Sequence, residues 1–355
     1  MTATTERPAG VVPGVTDEAR QVVRRARTRP RRHLRRVVLA LASLVVGAFA
    51  VRVLLGDYTV TIPDFVRILA GEQIPGATYI VMESKLPRAV LAVLVGVAFG
   101  VGGAIFQATL RNPLASPDVV GVSIGASAAA VSAIALAGWS GWSVSAVAVG
   151  GALAAALTVR AVAGSHGGYR LVLAGIGLAA ALQSVVQYVF TRVDAWDVQL
   201  VLRWLTGSVN GVPWSTIGVL ATALAVLLPL TALVARSLRI TELGADTAAG
   251  LGVTGRRAEV LLLLATLLVG FGVAAAGPVA FVAFVSGPIA RALNQGRTTL
   301  LGAGLVGALV VLLADHAGAY AFTDVNLPVG VVTGAFGAPF LLWLLARGRT
   351  ARRPA

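Results

Sequence analysis

The chain contains no cysteine, one lysine and three histidines, and only 12% of its 355 residues are charged. Without cysteine there is no disulfide framework and no thiolate metal site. The lysine, Lys85, lies in Glu83-Ser84-Lys85-Leu86-Pro87-Arg88, with no glycine-rich loop ahead of it. A phosphate-binding loop needs GxxxxGK[ST], because its lysine neutralises the β- and γ-phosphates. A conventional ATPase is thereby excluded. His33, His166 and His316 are far apart in sequence and offer no metal-ligand spacing. Carboxylates inside apolar runs are almost missing: Asp315 is the one acidic residue near a span interior, close to its outer end. Ion-coupled transporters work through buried carboxylate or histidine relays, so a lone aspartate fits a structural hydrogen bond better than a coupling site. A membrane-embedded enzyme would need a nucleophile, acid–base group or metal cluster within a span, and none is seen.

What the sequence has in abundance is apolar residues, 57% of the total, with a mean hydropathy of +0.85. Soluble domains carry about 25% charged residues, so the chain reads as an all-α polytopic membrane protein. Ten apolar stretches have the length that a bilayer core demands: 37–56, 87–110, 118–138, 141–163, 170–192, 214–236, 257–277, 279–293, 300–316 and 328–346. The eighth is short enough to be a partial span. The formal charge of +14 does not mark a nucleic-acid groove, because ten arginines precede residue 37 and most others occupy short loops. With the N-terminus inside, 23 basic residues fall on the inner side and 6 on the outer side. That bias predicts both termini in the cytoplasm; inner and outer are used below in this sense.

Residues 1–36 read as a basic, disordered cytoplasmic tail, 37–347 as the transmembrane domain and 348–355 as a second cytoplasmic tail. Ala48-Phe49-Ala50 offers a cleavage-like site after the apolar residues 37–47 that follow the basic segment, the pattern of a signal peptide. The basic segment is long for that purpose, and cleavage would leave nine spans and an outside N-terminus. Membrane-surface anchoring of the arginines on anionic lipid, at about 1 kcal/mol each, is the simpler reading.

Gly103 to Ser127 is the most informative stretch. An uncharged run from Ala89 to Leu110 stops at Arg111-Asn112-Pro113, a short polar turn follows, and a second Gly/Ala-rich run begins. Two spans joined by a proline-fixed turn must pack as a helical hairpin. Small residues along both runs, such as Gly96, Gly100 and Gly125, let helices approach closely. Downstream, residues 240–253 (ITELGADTAAGLGV) are too polar to span and too apolar for a plain loop. Thr241 can cap a short amphipathic helix there, with Glu242 near its positive end and Gly250 or Gly252 ending it.

Five places in order resemble the FecCD-type permease subunits of ABC importers for iron–siderophore complexes and vitamin B12. They are Lys85-Leu86-Pro87-Arg88; Gln107 with Arg111-Asn112-Pro113-Leu114-Ala115, Pro117, Asp118 and Gly121; Trp204-Leu205-Thr206-Gly207-Ser208 with Trp214; Gly244 to Gly252; and Ala314-Asp315 with Leu327-Pro328-Val329-Gly330-Val331-Val332-Thr333 and Gly337-Ala338-Pro339. Two departures stand out: Gly287-Pro288-Ile289-Ala290-Arg291 replaces the usual P-H-x-x-R, and Ala319 stands where some relatives carry a basic residue.

The resemblance implies the type II ABC importer permease architecture and half of the pathway for an iron–siderophore complex. Heme or cobalamin is the alternative cargo, and an ion-coupled secondary transporter the alternative class. It implies a dimer of ATP-binding subunits that holds the ATP and Mg, an extracytoplasmic substrate-binding protein, and a second, related permease in a heterodimer. No cofactor is expected on this chain. Lys85 and Arg88 become the expected docking cations for acidic residues of the binding protein, against a reading as snorkelling cations. Asn112 and Leu114 become the expected cytoplasmic gate, against simple helix termination. Glu242, Gly244, Asp246, Ala248, Leu251 and Gly252 become the expected ATPase-coupling segment.

Overall fold

Lipid offers no partner to a backbone N–H or C=O, so a spanning chain must satisfy those groups within each segment. In the computed structural model, residues 17–164, 168–194, 196–235, 238–241, 247, 250, 255–321 and 326–350 are described, and among them there is no strand. In chain order the helices are α1 (Asp17–Leu54), α2 (Ile62–Leu69), α3 (Leu86–Thr109), α4 (Val122–Ala137), α5 (Trp142–Ala163) and α6 (Gly168–Phe190). Then follow α7 (Val198–Thr206), α8 (Trp214–Val234), α9 (Gly255–Ala276), α10 (Val282–Leu293), α11 (Leu300–Tyr320) and α12 (Val329–Thr350). A π-helical turn, Ile80–Lys85, runs directly into α3.

Each of the ten expected spans coincides with a helix. Seven are long and apolar enough to cross a membrane, and Val122–Ala137, Val282–Leu293 and Val329–Trp343 are shorter apolar helices. One boundary differs from expectation by more than four residues. The first helix begins at Asp17 rather than at residue 37, so residues 17–36 are not structureless. Arginine is a good helix former, and the only proline of the segment, Pro30, does not end the helix. Residues 1–16 and 351–355 lie outside the described residues.

The bundle is built around α3, whose hydrophobic span is 78% buried. Helices α9, α10 and α11 pack along it, with further contacts from α8 and α1. Leu91, Phe99 and Ile105 on α3, Leu261 and Leu268 on α9 and Leu312 on α11 are fully enclosed. Between apolar helices in lipid there is no hydrophobic driving force, so close van der Waals contact must do the work. The α3–α11 crossing supplies it through glycine. A Cβ on Gly96 would sit 2.5 Å from the Gly307 carbonyl oxygen, and a Cβ on Gly307 would strike the Gly96 carbonyl. Backbone thus meets backbone.

Gly307→Leu is expected to force α3 and α11 apart at a cost of about 3 kcal/mol or more, the upper range for overpacking. Gly150→Leu, where nothing lies within 4 Å of the added Cβ, should leave the protein intact. Thermal unfolding of the two purified variants checks this; equal midpoints would contradict the crossing.

Candidate functional site

The outer ends of α1, α3 and α11 meet in a buried charge cluster. Asp315, 1% exposed, accepts from the Arg52 Nε at 2.6 Å and from the Arg88 Nη2 at 2.8 Å. The Arg88 Nε adds bonds of 2.9 and 3.0 Å to the two carboxylate oxygens. Arg52 also lies over the Tyr320 ring, 5.8 Å from its centroid, and Arg88 reaches the Asn326 side-chain oxygen at 3.4 Å. Two guanidiniums on one carboxylate leave the site a net cation, so the ring face and the amide oxygen carry part of the compensation.

Lys85 is buried next to this cluster. Its ammonium donates to the carbonyls of Leu55, at 2.9 Å, and Tyr58, both just beyond α1. The expectation that Lys85 and Arg88 face a docking partner is therefore not met by the geometry. Lys85 is 5% and Arg88 7% exposed, and both are satisfied inside the chain. The reason is local: the π-helical turn adds a residue per turn ahead of Pro87 and carries both cations into the α1–α3–α11 junction. That turn is held from outside by the Trp214 indole, which donates to the Met82 carbonyl at 2.8 Å. The reading of Asp315 as a structural hydrogen-bond acceptor agrees with its two arginine partners.

The segment Trp204 to Ser208 closes the same end against α9 and α12. Gly207, at φ +72°, runs so close to Pro278 that a Cβ would strike the Pro278 carbonyl, and a Cβ on Gly330 would strike the Thr206 carbonyl. Ser208 N donates to the Ala276 carbonyl at 2.7 Å and Gly330 N to the Gly207 carbonyl at 3.2 Å. The motifs around 204–208 and 327–333 are thus brought together by backbone.

At the inner end, Pro288 inside α10 leaves the carbonyl four residues earlier without its helical donor. That carbonyl belongs to Phe284, and the buried Gln107 side chain donates to it at 2.8 Å. Gly287 makes room: a Cβ there would strike the Gln107 oxygen. Arg291 reaches the same oxygen at 3.4 Å. The Gly287-Pro288 departure is therefore a built joint between α3 and α10. Beyond it, Arg111 turns the chain at φ +49°, and the Asn112 oxygen accepts from Leu114 N at 2.9 Å. The Asn112 oxygen is thus used within its own turn, and Leu114 is half-buried above it. Ser123 donates to Asp118 at 2.5 Å.

The coupling segment escapes description: Glu242, Gly244, Asp246, Ala248, Leu251 and Gly252 lie outside the described residues, and Thr241 ends a single turn, Leu238–Thr241. Sequence reasoning missed one feature. Helix α6 is the least covered of the seven long spans, 17% buried, and exposes Gln183, Ser184, Gln187 and Tyr188. Three of these recur at i, i+1 and i+4, a polar stripe that a helical projection of 170–192 would have found. Among the described residues no group of three or more metal-ligating side chains occurs.

Residues 43–347 match the FecCD transport family. The chain is 35% identical over 313 residues to the ferric enterobactin transport system permease protein FepG of Escherichia coli (strain K12), covering 87% of this chain and 94% of that one. It is 32% identical over 328 residues to the vitamin B12 import system permease protein BtuC of Salmonella typhi, covering 91% and 98%. A solved inward-facing conformation of a metal-chelate type ABC transporter superposes with a TM-score of 0.74 over 88% of this chain and 99% of that one, at 22% identity.

Asp315→Asn is expected to strand two buried guanidiniums and cost about 3–5 kcal/mol, the range for breaking a buried pair from one side. Adding Arg52→Leu should recover part of that loss. Thermal unfolding of the single and double variants reads the coupling, and an unaltered Asp315→Asn midpoint would contradict it.

Proposed function

Because this chain belongs to the FecCD transport family, we propose that it forms half of the membrane pathway through which an ATP-driven importer takes up an iron–siderophore complex. It is a multi-pass permease and not the ATP-hydrolysing subunit. One observation supports the pathway assignment most directly. The space around α3 is filled by side chains, whereas the polar stripe of α6 lies on the outside of the bundle. Exposed glutamines are unfavourable against hydrocarbon; facing a wet seam between two permeases, they can bind water or cargo. A bulky polar chelate can then pass between bundles without opening either core.

The second permease is a related chain rather than a copy, in keeping with the departures at Gly287-Pro288 and Ala319. The cargo reading follows relatives such as the ferric enterobactin permease, with cobalamin as the second choice after the vitamin B12 permease. Both termini face the cytoplasm, where an ATP-binding dimer meets the 240–253 segment and supplies ATP and Mg. An extracytoplasmic binding protein docks on the opposite face, by groups other than the buried Lys85 and Arg88. Leu114, on its Asn112-fixed turn, forms the inner constriction.

The chain lacks cysteine, so single-cysteine variants report without background. Gln187→Cys is expected to react with a membrane-impermeant thiol reagent at least about tenfold faster than Leu230→Cys on the lipid-facing side of α8, since ionised thiolate forms only in water. Equal rates would remove α6 from the pathway.

Uptake of ferric siderophore into vesicles holding the whole importer tests the rest. Asp246→Arg with Leu251→Arg should abolish substrate-stimulated ATP hydrolysis while the protein still inserts. Leu114→Gly should leak a small polar dye or uncouple hydrolysis from uptake. Unchanged hydrolysis in the first and tight coupling in the second would refute the two assignments.

A further inference from the structure

Helices α5 and α8 both pack on α9 but make little contact with each other. They leave a cleft of about 650 Å³ at the outer end, floored by Phe271 and walled by Val149 and Val219. Both walls belong to peripheral spans only 28% buried, and Val219 is 58% exposed, so the cleft opens sideways to lipid. Short α7 roofs it with Arg203 and Trp204, and Trp142, 82% exposed, stands at its mouth. Tryptophans at this level mark the membrane–water interface, so headgroups meet the roof and acyl chains meet the walls.

Arg203 is the part that the transport reading does not use. Its guanidinium is half-buried and makes no hydrogen bond or ion pair among the described residues. Burial and the neighbouring Arg88 both disfavour its charged form. A cation kept in such a place is incomplete without an anion. Ser215 and Thr216 line the same rim and add hydroxyl donors.

We propose that this cleft is a binding site for one anionic phospholipid of the outer leaflet, its phosphate on Arg203 and one acyl chain lying between α5 and α8 over Phe271. A soluble anion would satisfy the guanidinium but leave the apolar slot empty, and a zwitterionic lipid would place a second cation beside it. The bound lipid would wedge α5 and α8 at a fixed separation and hold α7 over the backbone contacts that Gly207 makes with Pro278 and Thr206 with Gly330.

The test uses the full-length chain in vesicles of phosphatidylglycerol and phosphatidylcholine, extracted gently and weighed by native mass spectrometry. The wild type should retain one phosphatidylglycerol with at least tenfold preference. Arg203→Gln should lose that preference, and Arg203→Lys should keep most of it. Val219→Trp, which fills the slot from its exposed side without touching Arg203, should lose the lipid altogether. Retention unchanged in both Arg203→Gln and Val219→Trp overturns the proposal. Displacement of the lipid by millimolar glycerol phosphate also overturns it, because the occupant would then be a soluble anion.

Discussion

The backbone-to-backbone crossing of α3 and α11 at Gly96 and Gly307 is the constraint on which the other features depend. In a bilayer, apolar side chains gain nothing by leaving lipid for protein, so the bundle is held by how closely its helices approach. This crossing also fixes register. Once Gly96 faces Gly307, Arg88 two turns toward the outer end of α3 comes level with Asp315 two turns further along α11. The buried charge cluster is a consequence of that register, and a slide by one residue would break both contacts together.

Charge at the outer end then has to be read by partner rather than by position. Arg52 and Arg88 share Asp315, Lys85 is taken up by two carbonyls, and Arg203 alone of these cations lacks a described partner. Burying more cations than carboxylates is unfavourable. The surplus is dispersed over the Tyr320 ring, the Asn326 oxygen and the carbonyls that follow α1. At the inner end the corresponding task is neutral: Gln107 satisfies the carbonyl orphaned by Pro288. Both ends of α3 are therefore pinned by side chains bonded to distant segments of the chain.

These distances explain what could be read from sequence. Spans 37–56 to 328–346 were legible because length and hydropathy are local, and the Arg111-Asn112-Pro113 turn because helix termination is local. Lys85 and Arg88 were misplaced because the carboxylate that claims Arg88 is 227 positions away, and nothing in ESKLPR reveals it. Gln107 was noticed without a role, since the carbonyl it serves is 177 positions away. The α6 stripe was missed for a different reason: a mean over 170–192 hides three polar residues that only a helical projection aligns. Helicity of residues 17–36 was overlooked because charge density was taken as disorder although arginine does not oppose a helix.

Pinning at both ends decides which motions remain for transport. Sliding α3 against α11 would drive carbonyls into backbone at Gly96 and Gly307 and expose the Asp315 cluster. Opening the core would unseat Gln107 from Phe284 and leave a buried carbonyl bare, which costs about 1–3 kcal/mol by itself. Neither can be repeated cheaply in every cycle. What moves must lie outside the pinned set, at the peripheral α6 with its polar stripe and at the turn between α3 and α4. Under the proposed seam pathway, rocking one rigid bundle against another is a motion that breaks none of these contacts.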